Sequence, residues 1–419
     1  MNTLLKSKGN DRPCGQDETM GRRVGYLLGA SLFLTPYLLR FKLIPGSEAV
    51  WAVNPLAIFA IFWLLLYMLG HKYEISRAVS VIKLLLIAAC GLLLRVMGAP
   101  ISVFIAEWAP LFILLVIVPE TIFPSLFRGF LKSLNLAVAV IAVCAALDLV
   151  TGYAVSRAIG AFYGTEGLEW LNSSGRLVSY MGHSLLTAEV ALAYFALNMF
   201  ASKVMDIEVN KILVTLIAVV IVVLTGSRSA AVALLSMILI SYANTENIRY
   251  IVAIVFGMLL LYAFGVFDTL IDRITMGITA GDMTSSRNTK LEEMTQAGII
   301  SYDWFKGHSF TDGYTSYVRS SLVIALEYPL LRFAFMYGIA FSVLLAIVLF
   351  LIPVVYAFRK TGPIPALLLA LYFFHVNTYS SICAAQDGML RCVLIAWMFV
   401  CASRIFAWKR HSGLNSDGR

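Results

Sequence analysis

Apolar residues in this chain fall in long unbroken runs, with neither the alternation of a half-buried strand nor the single stripe of a soluble helix. The runs lie at roughly 24–44, 49–69, 78–97, 100–118, 134–152, 179–200, 210–225, 229–245, 250–267, 329–357, 362–381 and 389–407. A helix that crosses a bilayer needs about 20 predominantly apolar residues, which most of these runs approach. The pattern predicts an all-α, polytopic membrane protein with about 12 transmembrane helices, forming a single integral membrane domain over residues 1–419. A transmembrane β-barrel, which rests on alternation, is excluded. One segment breaks the rhythm: residues 268–328, just before the tenth run, are polar and hold Tyr302, Trp304, Phe310, Tyr314 and Tyr317. Connections longer than about 12–15 residues are usually functional or disordered, and the aromatic content favours a packed, functional one. The segment is expected to form the lid or floor of an active site.

Charge then sets the topology. Placing both termini inside puts Arg22, Arg23, Lys72, Arg77, Arg128, Lys132, Lys203, Arg249, Arg359, Lys360, Lys409 and Arg410 in cytoplasmic segments, as the positive-inside rule requires. Arg157, Arg176 and Arg228 are the exceptions. This orientation exposes the 268–328 loop outside the cytoplasmic membrane, together with the polar connection 153–182 and the turn Thr225-Gly226-Ser227-Arg228-Ser229. The first 23 residues and the tail after Trp408 are expected to be mobile, and no cleavable signal peptide is expected.

Composition agrees with this class and narrows the chemistry. The chain is 60% hydrophobic and only 13% charged, whereas soluble domains are roughly 25% charged. The net charge of +8 is accounted for by basic loops, so no nucleic-acid partner is expected. The six cysteines lack metal-site spacing. With no Walker or kinase-type glycine loop either, neither a metal nor another cofactor is expected.

Candidate chemistry collects on the outer face. Arg228 sits in a tight turn between two apolar runs, with Gly226, Ser227 and Ser229 around it. It reads either as an interfacial snorkelling arginine or as part of a phosphate site, where a helix N-terminus and a bidentate guanidinium act together. Arg176 precedes the run that carries His183 and Glu189; it reads as a loop charge or as a second anion contact, and Glu189 as an intramembrane carboxylate of unknown partner. Arg287 opens a short amphipathic helix in the long loop. Glu327, before Tyr328-Pro329, marks the mouth of the tenth helix; it either stabilises that helix end or acts as a base on a substrate hydroxyl. Arg319, Arg332, Asp387 and Arg391 lie on the same side.

Taken in order, these residues resemble the O-antigen polymerase and O-antigen ligase superfamily of membrane glycosyltransferases. The resemblance is carried by Gly175-Arg176 with Gly182-His183-Ser184, by Leu224-Thr225-Gly226-Ser227-Arg228-Ser229, by Arg287 to Gly307, and by Glu327-Tyr328 followed by Gly338. It is clearest from about Gly175 to Phe350; the first 150 residues match only in hydropathy. Glu327 stands where the ligase branch has histidine, a departure that favours the polymerase branch. The resemblance implies a donor glycan on undecaprenyl diphosphate, a lipid-linked repeat unit as acceptor, a surrounding membrane lipid and a chain-length regulator as a partner. It implies diphosphate or glycan contacts from Arg176, His183, Ser227, Ser229, Arg319 and Arg332, with Glu327, Arg228 and Arg287 catalytic. The alternatives are an O-antigen ligase and, from another class, a transporter or flippase for lipid-linked oligosaccharides. A transporter calls for polar residues at mid-membrane in matching halves of the chain, whereas here they gather at one face.

Overall fold

The computed structural model describes residues 14–43, 54–69, 77–99, 101–163, 175–205, 207–243, 248–279, 281, 287–298, 300–307, 328–379, 381–383 and 387–411. Among them every regular element is helical. In chain order the helices are α1 (Cys14–Phe33), α2 (Tyr37–Leu43), α3 (Pro55–Leu69), α4 (Arg77–Val96), a mixed segment from Ile101 to Leu115, α5 (Phe123–Thr151) and α6 (Ala154–Tyr163). Then come α7 (Ser184–Val204), α8 (Lys211–Leu224), α9 (Arg228–Tyr242), α10 (Ile248–Ala263), α11 (Asp268–Thr279) and α12 (Arg287–Gln296). The chain closes with α13 (Pro329–Tyr337), α14 (Ile339–Thr361), α15 (Pro363–Val376) and α16 (Gly388–His411).

Among the described residues α5, α7, α14 and α16 are each long and apolar enough to cross a membrane, and α10 with α11 would make a fifth span bent by 84°. Pro55–Met68, Phe104–Leu115, α8, α9 and α15 are apolar but shorter. This is the architecture of a polytopic membrane protein. Helices α7 and α16 are buried on nearly every side and occupy the centre, with Trp397 and Phe200 fully buried and the Phe200 and Phe399 rings stacked at 4.3 Å. The outer helices leave Val150, Phe256 and Phe264 exposed, a surface suited to hydrocarbon.

Each apolar run coincides with helix, but four details differ from expectation. The first helix begins at Cys14, not near residue 24, so part of the segment expected to be mobile is helical. That helix breaks ahead of Pro36, whose ring cannot accept a continuing helix. The run at 100–118 is not one α-helix: a π-helical turn over Phe104–Trp108 passes into a 3-10 segment over Ala109–Leu115, with Pro110 near its start. The run at 329–357 is divided at Gly338. Within the long polar segment a helix does open at Arg287, as the sequence reading has it, and α11 precedes it.

The early start of α1 has a packing reason. Gly21, Gly25 and Gly29 recur at every fourth position and face Ser125, Leu126, Gly129 and Ser133 of α5. A Cβ on Gly25 would stand 1.9 Å from the Leu126 carbonyl oxygen, and one on Gly129 would stand 2.0 Å from that of Arg22. Small residues on both sides let the two backbones touch, which is how helices associate where lipid removes the hydrophobic drive. Replacing Gly25 or Gly129 with valine should therefore destabilise the protein by about 1–3 kcal/mol through overpacking. Thermal unfolding of detergent-purified protein checks this, and an unchanged melting temperature in both variants would contradict the packing.

Candidate active site

Loops from across the sequence are tied together at one end of the helices. Tyr180 donates its hydroxyl to the Phe33 carbonyl at 2.6 Å, and Leu177 N–H donates to Leu224 O at 2.9 Å. The Cys383 thiol meets the Pro329 carbonyl at 3.4 Å, and Leu330 N–H donates to the Asn377 side chain at 3.3 Å. Ile339 and Ala340 donate to the carbonyls of Asp303 and Trp304, both at 2.9 Å. These bonds join described parts of the regions singled out in the sequence: the connection before α7, the α8–α9 turn, the chain before and after α13, and the chain after α15.

The turn between α8 and α9 is the centre of this end. Gly226 takes a left-handed backbone, φ +61, and a Cβ there would lie 3.3 Å from the Arg273 side chain. Glycine is needed both for the turn and for the approach of that arginine. Ser227 caps α9 by accepting from Ala230 N–H at 3.4 Å. Three arginines from distant parts of the chain meet here. Arg176 Nε donates to Thr225 O at 2.6 Å, Arg273 Nη1 to Gly226 O at 2.5 Å, and Arg228 Nη1 to Arg273 O at 3.4 Å. Arg176 is only 3% exposed, whereas Arg228 and Arg273 are half-buried. The buried Asp148 fixes the approach of the Arg176 segment: it accepts from Ser156, whose hydroxyl in turn accepts from Val178 N–H at 3.0 Å.

His183, immediately ahead of α7, caps that helix by accepting Leu185 N–H on Nδ1 at 3.2 Å. An Nδ1 that accepts carries no proton, so the imidazole in this cap is neutral. Ser229 faces α15, 3.1 Å from His375 Nδ1 and 2.8 Å from the Thr378 hydroxyl.

Deeper in the membrane, Glu189 finds the partner that the sequence left open. Arg391 of α16 donates to it from Nε at 2.7 Å and from Nη2 at 3.2 Å. Tyr372 at 2.8 Å, Ser381 at 2.6 Å and Tyr379 also donate to this carboxylate, and both charges are at least 97% shielded, with Glu189 at 0% and Arg391 at 2% exposure. A second buried pair, Arg40 with Asp387 at 2.7 Å, is joined by Asn54 at 3.2 Å.

The structure thus brings together Arg176, His183, Ser227, Arg228 and Ser229 around one turn. Arg332 stands apart on α13, beside Met336 and near Glu107. Arg287 begins α12, and its side chain lies outside the description; Arg319 and Glu327 lie outside the described residues altogether. The sequence reading missed Arg273 and His375. The signal for His375 was a histidine ending an apolar run just before Asn377-Thr378-Tyr379. Among the described residues no cluster of three His, Cys, Asp or Glu could hold a metal. No protein-family model matches the chain, and no curated protein matches it significantly.

Removing one member of the Glu189–Arg391 pair should cost about 3–5 kcal/mol, because it strands a buried charge. Glu189→Ala and Arg391→Ala should each lower the yield of monodisperse protein in detergent, and the double variant Glu189→Leu with Arg391→Met should recover part of it. Single variants as stable as the parent would mean that the pair is not what holds α7 to α16.

Proposed function

We propose that this chain is a membrane glycosyltransferase, a surface-polysaccharide polymerase. It moves a growing glycan from undecaprenyl diphosphate onto a lipid-linked repeat unit at the periplasmic face of the bacterial inner membrane. In this reading the twelve apolar runs are twelve spans, the shorter helices cross where the bilayer thins locally or where a broken pair shares one span, and both termini are cytoplasmic.

The observation that carries the reading is the meeting of Arg176, Arg228 and Arg273 at the turn that starts α9. Three guanidinium groups converge on one turn beside the N-terminus of α9, so a diphosphate brought there would meet bidentate donors and a helix N-terminus together. In the transfer, a sugar hydroxyl attacks the anomeric carbon of the donor and the diphosphate departs with the bonding electrons. Guanidinium groups already in place stabilise that developing charge in a site of low dielectric. In this reading Arg176, which is buried, acts through the turn it holds and through its field, while the half-buried Arg228 and Arg273 touch the ligand. The lipid diphosphate bond supplies the driving force, so the reaction requires no nucleotide.

Deletion of the gene should leave surface lipid that carries single repeat units; loss of a ligase would leave it with none, and that result would replace this reading. Arg228→Ala should lower chain growth by about 10²–10³ while the protein still reaches the membrane. Arg228→Lys should rescue poorly, because an ammonium lacks the planar fork. Gel profiles of surface glycan, normalised to membrane protein, check both, and parental profiles in both variants would remove Arg228 from the site.

A further inference from the structure

Glycosyl transfer to a hydroxyl releases a proton, and a group within hydrogen-bond reach must take it. The sequence offers Glu327. The described residues offer another group, next to the arginine turn.

Ser229 follows Arg228 at the start of α9 and points toward the end of α15. Its Oγ lies 3.1 Å from His375 Nδ1. The opposite ring nitrogen, Nε2, lies 3.5 Å from the Leu185 carbonyl. The tautomer that serves a relay carries its proton on Nε2, toward that carbonyl, and leaves Nδ1 basic and facing Ser229. The Thr378 hydroxyl is held by the His375 carbonyl at 2.7 Å and braces Ser229 at 2.8 Å. His375 is wholly buried and Ser229 only partly so, so the serine is the less buried of the two. A hydroxyl hydrogen-bonded to an imidazole is the arrangement of an activated serine.

We infer that Ser229 and His375 form a proton relay serving the hydroxyl acceptor of the proposed transferase, an assignment that rests on the polymerase reading. As the acceptor oxygen bonds to the anomeric carbon and the carbon–oxygen bond to diphosphate breaks, the acceptor's proton passes to Ser229 Oγ. The proton already on Ser229 passes to His375 Nδ1, leaving an imidazolium. The electron pair departs with the diphosphate, and the imidazolium later returns its proton through Ser229 to water. From α7, Glu189 faces the imidazole across the Tyr379 hydroxyl, and the two rings, His375 and Tyr379, lie 5.2 Å apart. From α16, Arg391 holds that same carboxylate, and from α9 Arg228 adjoins Ser229.

The test uses full-length protein in proteoliposomes, supplied with lipid-linked repeat units extracted from a strain that lacks this gene. Chain growth is followed between pH 5 and 8. His375→Asn keeps an acceptor near the Nδ1 position but cannot bind a proton, so the rate should fall by about 10²–10⁴ and lose its dependence on pH. Ser229→Ala should fall comparably and Ser229→Thr should retain most activity, while Glu327→Gln should keep the parental pH dependence. A His375→Asn protein that elongates at the parental rate, or more slowly with the pH profile intact, overturns the relay. So does a flattened profile in Glu327→Gln alone, which returns the role to that carboxylate. If His375→Asn does not fold, the serine pair decides: equal rates for Ser229→Ala and Ser229→Thr refute the relay. A parent protein that elongates nothing under these conditions refutes the polymerase reading itself, and the relay falls with it.

Discussion

The ion pair between Glu189 and Arg391 is the constraint around which this molecule is arranged. It joins the two helices that occupy the centre, at a depth where neither charge can reach water. In such a medium a half-satisfied pair is worse than none, so the surrounding hydroxyls of Tyr372, Tyr379 and Ser381 are part of the same requirement. Meeting it sets the register of α7 against α16 and fixes the chain after α15. That chain carries Thr378 and Tyr379, and its last helical turn carries His375. The chemistry at the end of the bundle is therefore built on a polar core that lies one turn beneath it.

Above that core, the turn from Leu224 to Arg228 shows how a short motif becomes a site. Its small residues turn the chain sharply, cap the next helix and leave carbonyls bare. Arg176 and Arg273 come from opposite sequence directions to occupy those carbonyls, and Arg273 brings its own carbonyl to Arg228. The result concentrates positive charge where a helix N-terminus already favours anions. Asp148, Ser156 and Val178 form the strut that keeps the Arg176 segment against this turn.

Much of this was legible in the residues, and the part that was not has a common cause. Continuous apolar runs locate helices well because bilayer and core impose the same hydropathy over many positions. They do not show where a helix breaks: the division at Gly338, the stop before Pro36 and the π and 3-10 turns after Ile101 depend on local packing. The order of Arg176 and Arg228 in the chain suggested a shared site, and their side chains do share a turn. Arg273 was visible only as one charge in a polar segment, because its partner carbonyl at Gly226 lies 47 positions away. Glu189 announced by its depth that it needed a partner, yet the partner is 202 residues distant. His375 was hidden by its apolar neighbours. Long-range pairing of polar groups leaves no periodic trace in a single sequence.

The glycine face of α1 has a consequence for how the protein is made. Its mate on α5 is synthesised only after α2, α3, α4 and the mixed segment have followed it out of the ribosome. Until then a face built for backbone contact has no mate, and the same small residues would let another small-residue helix approach as closely. Correct pairing is therefore decided by the α5 residues opposite it, Ser125, Gly129 and Ser133, and not by the α1 face alone.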